Sequence, residues 1–245
     1  MADVNPGPDL ARRLLAECVG TALLVTVVVG SGIAAQQLSP DDVGLQLLEN
    51  STATVFGLAV LILLFGPVSG AHFNPVVSAA DWLLGRRGGT GLPGADVLAY
   101  AVAQVVGAIA GAVLANVMYG LDAAQIATHE RVSAGVLVGE VVATAGLVAL
   151  IFALARTGRA PLSAAAVGAY IGSAYWFTSS TSFANPAVTV GRVFSDTFAG
   201  IAPSSVLPFV AVQVVGGGVG IALVRALYPD VALTADDAVV PHHSS

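Results

Sequence analysis

The residues with the clearest chemical potential in this chain come as matched pairs: Asn74-Pro75-Val76 with Asn185-Pro186-Ala187, Glu17 with Glu140, and Gln104 with Gln213. An Asn side chain carries a carbonyl acceptor and an NH2 donor, so two of them can hold a small neutral hydroxylated molecule but cannot cleave one. Asn also caps the free amides of a helix start and Pro suits the first helical position, which makes each Asn-Pro a local signal for a helix N-terminus. Two such termini aimed at one point would each contribute roughly half a positive charge along with free N–H groups, opposing any cation. Glu17 and Glu140 lie in apolar runs, where a carboxylate is costly unless it is bonded. Their expected role is to accept hydrogen bonds from exposed backbone amides, with Gln104 and Gln213 as similar braces; a proton relay is the alternative. His72 reads as a packed histidine bonded to loop backbone, with gating by pH as its alternative. No nucleophile with a base, metal-ligand cluster or phosphate loop accompanies these residues, so enzymatic, metal and cofactor chemistry have no support.

The elements that must position them belong in a membrane. The chain is 56% hydrophobic and only 10% charged, with no Lys, too little polar cover for a soluble surface. Its net charge of -6 leaves no basic track for nucleic acid, and its one cysteine, Cys18, cannot form an intrachain disulfide. Six apolar segments read as spanning helices: 14–35, 47–65, 97–118, 135–155, 162–178 and 206–226. The first exceeds a signal-peptide core and reads as a retained anchor. Two further apolar pieces, Asn74 to Leu84 and Asn185 to Phe194, are about half the length needed to span. Each follows a run of small residues suited to non-helical backbone lining a watery cavity.

An internal repeat organises these pieces. The Asn-Pro boxes recur at an offset of 111, Gln104 and Gln213 at 109, and Glu17 and Glu140 at 123. Each half therefore reads as three spanning helices with a half-helix between the second and third. Because three is odd, the second half must insert upside down relative to the first. The expected divisions are an N-terminal segment (1–13), a first half (14–118), a connection (119–134), a second half (135–226) and a tail (227–245) containing His242-His243. Arg12, Arg13, Arg86, Arg87, Arg156, Arg159 and Arg225 fall on one side of this topology, with Arg131 on the other and Arg192 in the second half-helix. That bias puts both termini in the cytoplasm and the connection outside. The pairs Gly107/Gly111 and Gly216/Gly220 have the spacing that permits close helix crossing.

At the two Asn-Pro boxes, together with Ser69-Gly70-Ala71-His72-Phe73, the sequence resembles the aquaporin and glycerol-facilitator family (major intrinsic proteins), whose signature is two Asn-Pro-Ala motifs. The resemblance covers about residues 12 to 227. It implies an all-α membrane fold of six transmembrane helices and two re-entrant half-helices in an inverted 3+3 repeat, one pore per subunit, a homotetramer in the plasma membrane among lipids, and no cofactor. It also implies an outer constriction of four positions, usually including an aromatic, a histidine and an arginine. Counted from the second box, these fall on Ser173, Ser182 and Val188; the second-helix position is Thr54, or Phe56 if a short gap is allowed. With Ser173 and Val188 in place of histidine and arginine, the constriction is expected to be wider and uncharged. Valine in that place resembles the small bacterial branch associated with trivalent arsenic uptake or efflux. The expected cargo is therefore small and uncharged: arsenite, antimonite, glycerol, urea or water. Two other classes stay open: a proton-coupled transporter using Glu17 or Glu140, and a noncatalytic scaffold with a closed pore.

Overall fold

The computed structural model describes residues 8–86 and 88–229. Arg87, most of the N-terminal segment and the tail with His242-His243 lie outside them. Eight α-helices follow in order: α1 (Leu10–Leu38), α2 (Val43–Ser69), α3 (Pro75–Gly85), α4 (Gly94–Met118), α5 (Ala134–Arg156), α6 (Ser163–Phe177), α7 (Pro186–Gly191) and α8 (Pro203–Leu227). Among the described residues there is no strand. Local chemistry marks the ends. Asp9, Asp42 and Ser133 each accept a bond from the backbone of the first turn of α1, α2 and α5, and Gly70 (φ 87°) closes α2 in the left-handed region.

Five helices, α1, α2, α4, α5 and α8, are long and apolar enough to cross a membrane. The sixth, α6, has 15 residues and continues directly from a 3-10 turn at Ala160–Leu162. Except for α6, the spanning helices overrun the apolar segments by a few residues, and at the starts of α1, α2 and α5 a polar cap sets the boundary. The second half-helix is shorter than its apolar run: α7 ends at Gly191 and gives way to a 3-10 turn, Arg192–Phe194. A side chain at Gly191 would meet the carbonyl of Ala108 on α4, so the helix lies flush against its neighbour there.

The packing repeats. In the first half α1 pairs with α4, and in the second α5 pairs with α8, while α2 and α6 join the halves. Both half-helices are wedged between α4 and α8 and touch each other. The pairing of α1 with α4 rests on Gly107 and Gly111, where a Cβ would lie 2.1 Å from the carbonyl oxygens of Cys18 and Ala22. Gly216 and Gly220 repeat the arrangement against Val141 and Ala145, 2.7 Å away. Arg13 pairs with Asp96 at the start of α4 (2.9 Å), and Arg225 donates to Leu83 O near the end of α3 (3.1 Å), so these ends gather at one face. Arg131 and Arg192 sit together at the other, where both guanidiniums face the Phe183 ring.

Candidate functional site: a cavity where two half-helices meet

The two half-helices start at the Asn-Pro boxes and point their N-termini at each other. Asn74 Oδ1 accepts from Val76 N–H (3.0 Å), and Asn185 Oδ1 accepts from Ala187 and Val188 N–H (3.0 and 3.3 Å). The amide groups cross between halves: Asn74 Nδ2 donates to Ala184 O and Asn185 Nδ2 to Phe73 O, both at 2.7 Å. One proton of each amide is thus committed to the opposite half. Both asparagines line a narrow cavity of about 60 Å³, and each amide has a second proton to donate.

The segments leading into the boxes hold an unusual backbone. Ala71 and Phe73 in the first, and Thr181, Ser182 and Ala184 in the second, have φ between 47° and 59°. Side chains other than glycine are strained there, by about 1–2 kcal/mol each. The buried glutamates hold these segments in place. Glu17 accepts from Ser69 Oγ (2.6 Å), His72 N–H (2.9 Å), Phe73 N–H (2.7 Å) and Gln104 Nε2 (2.7 Å). Glu140 accepts from Phe183 N–H (2.8 Å), Ala184 N–H (2.9 Å) and Gln213 Nε2 (2.6 Å). Ser78 and Thr189, which sequence reasoning passed over, complete the two braces: Gln104 donates to Ser78 Oγ (3.1 Å) and Gln213 to Thr189 Oγ1 (2.9 Å). All four long side chains are fully buried. His72 lines the cavity; its Nδ1 lies 3.1 Å from Ser78 Oγ and its Nε2 3.9 Å from Asp81.

Around the second box the structure sorts the residues counted for the constriction. Thr54, Ser182 and Val188 line the cavity. Phe56 does not: it is 68% exposed on the outer face of α2, so the register without a gap places Thr54 inward. Ser173 also points away from the cavity, its hydroxyl donating back to Tyr170 O (2.8 Å). The lumen-facing stripe of α6 is Val167, Ile171 and Tyr175, spaced by four, and Ser173 lies about 200° around the helix from Tyr175. Tyr175 Oη approaches Thr54 Oγ1 (3.3 Å) across the cavity. Ser182 Oγ has no partner among the described residues.

The uncharged lining expected from Val188 does not hold either. Arg192, one turn further on, is 3% exposed and lines the same cavity. Its guanidinium carbon lies 3.5 Å from the centre of the Phe183 ring, and its Nε donates to Ala199 O. Beyond it opens a vestibule of about 550 Å³, lined in part by His129, Arg131, Thr181 and Asp196. Arg131 lies 5.2 Å from the same ring and donates to Gly200 O (2.7 Å) and Phe198 O (2.8 Å). Burial lowers the Arg131 pKa to about 10, so it stays charged at neutral pH. Burial and then the two arginines lower His129, which favours its neutral form.

Comparison with known proteins agrees with this geometry. The sequence pattern of the family described as "Major intrinsic protein" matches residues 7–182. Over 219 residues the chain is 47% identical to the aquaglyceroporin AqpS of Rhizobium meliloti (strain 1021), covering 89% of this chain and 91% of that one. It is 35% identical over 234 residues to a glycerol uptake facilitator protein of Pseudomonas aeruginosa, covering 83% and 80%. The fold resembles the X-ray structure of the aquaglyceroporin from Plasmodium falciparum, with a TM-score of 0.61 at 20% identity, covering 91% of this chain and 96% of that one.

Proposed function

The chain belongs to the major intrinsic protein family, and from that premise we propose that its central cavity passes small uncharged solutes down their gradients, with glycerol, water, urea and the neutral hydroxides of trivalent arsenic and antimony as candidates. Members of this family are multi-pass membrane channels, passive and not enzymes. One observation carries the proposal: two half-helix N-termini meet at a narrow cavity, cross-tied by Asn74 and Asn185. Positive helix ends facing one another repel cations from both directions, while the second amide proton of each Asn can hydrogen-bond a hydroxylated guest. Thr54, Tyr175 and Ser182 add hydroxyls to a mostly apolar wall, which suits a polyol that presents oxygens on one side and carbon or a metalloid on the other. The names of the relatives support glycerol most directly.

The remaining assignments follow from the same reading. Residues 14–118 and 135–226 form the two inverted halves, joined by an extracellular connection at 119–134, with 1–13 and 227–245 cytoplasmic. Four copies assemble in the plasma membrane, each with its own pore. Thr54, Ser182 and Val188 set the width of the outer constriction, with Tyr175 in the α6 position counted to Ser173. The test is a stopped-flow panel of water, glycerol, urea and arsenite on reconstituted vesicles, comparing the native chain with Val188→Arg. A guanidinium added there narrows the passage, so glycerol and arsenite flux should fall about tenfold or more while water falls least. Equal loss for every solute, or none, rejects this account of the constriction.

A further inference from the structure

Resting on the channel reading, we propose that Arg192 is the charge-selecting residue of the mouth on the Arg131 side, a task for which Val188 has no charge. Arg192 alone lines both the narrow cavity and the vestibule beyond it, so it sits at the junction a solute must cross. Its side chain is almost wholly buried, and among the described residues no carboxylate pairs with it. A buried guanidinium is stabilised by an anion, by hydrogen bonds or by an aromatic face, and Arg192 has the last two: Nε donates to Ala199 O, and the guanidinium carbon lies over the Phe183 ring. Phe183 is fixed in turn by an edge contact with Phe209 (5.2 Å).

The groups facing Arg192 sharpen its field. Arg131 adds a second positive charge on the same ring, and its own donors are directed to backbone carbonyls. Asp196 is the acid in the vestibule lining, and its Oδ1 is taken by Thr128 N–H (2.8 Å) and Thr128 Oγ1 (3.0 Å). Glu130 is held by Ser204 and Ser205, and Glu140 is occupied by Phe183 and Ala184 backbone. His129 adds no charge in its neutral form. The entrance therefore presents fixed positive charge ahead of the opposed helix ends, and a cation meets two barriers in series where a polyol meets hydrogen-bond donors. Arg192 is a specificity-determining residue that loop bracing alone does not describe.

Arg192→Gln keeps a donor for Ala199 O without the charge, Arg192→Met keeps length without either, and Arg192→Lys keeps the charge. Each is reconstituted beside the native chain, with glycerol flux read by light scattering and proton and methylammonium entry read by a pH dye under voltage clamp. The expected result is a ratio of cation entry to glycerol flux that rises on the order of tenfold in the Gln and Met variants and stays low in the Lys variant. Assembled neutral variants as cation-tight as the native chain overturn the proposal. So does failure of both neutral variants to assemble, which makes Arg192 a brace. Absence of flux for water, glycerol, urea and arsenite alike in the native chain rejects the channel reading itself.

Discussion

Glu140 has no solvent to lean on, and three donors converge on its two oxygens. Two of them are the amides of Phe183 and Ala184, in the stretch where Thr181, Ser182 and Ala184 sit in the left-handed region. The carboxylate offsets that strain by binding amides that only this backbone shape presents together. Glu140→Gln replaces one oxygen with an NH2, so a donor must face Phe183 N–H, Ala184 N–H or the Gln213 amide. The expected cost is about 2–3 kcal/mol, read as a lower thermal unfolding midpoint in detergent, with glycerol flux reduced in parallel. An unchanged midpoint would mean the approach segment does not depend on this bond. The pairing of each glutamate with a nearby box was legible from the repeat. Arg192 was not legible as a pore residue: no sequence pattern marked that its stem would turn inward at the point where α7 tightens into a 3-10 turn.

Among the elements, the interface between α1 and α4 leaves the least room for error. A side chain at Gly111 would start 2.1 Å from the carbonyl oxygen of Ala22, and both atoms belong to helix backbone that cannot yield locally. Gly111→Leu should prevent α4 from docking and remove the monodisperse species in size-exclusion chromatography, a disruption of about 3 kcal/mol or more. Gly218→Leu is the control, since nothing lies within 4 Å of a Cβ there. If both variants purify alike, the close crossing is not required. Helix number, order and approximate ends were readable because apolar runs and caps are local signals. Which face of α6 turns inward was not, because the helix is apolar on most sides and its rotation is fixed by neighbours. That is why a count along the chain reached Ser173 when the lumen is lined by Tyr175.

At the scale of the molecule, the two halves close around one cavity, and the carboxylates of Glu17 and Glu140 are spent on backbone amides within their own half. A proton-driven transporter would need one of them free to load and release. Solute entry into vesicles should therefore be the same within about twofold with or without a proton gradient, because neither glutamate is free to carry a proton. Accumulation above the outside concentration on imposing that gradient would reject the passive reading. The inverted arrangement was readable from the odd number of helices per repeat. Crossing of the Asn amides was not, since it depends on where two carbonyls arrive after both halves have folded.

That crossing has a consequence for how the chain is made. Asn74 and Asn185 each find their carbonyl 110 and 112 residues away in sequence. While the ribosome has delivered only the N-terminal portion, the Asn74 amide and the Phe73 oxygen have no mates, and they remain unmet until about three quarters of the 245 residues have emerged. Biogenesis must tolerate a half-built intermediate with bare polar groups at the depth of the lipid tails, and quality control has a chemical mark by which to recognise one that stalls.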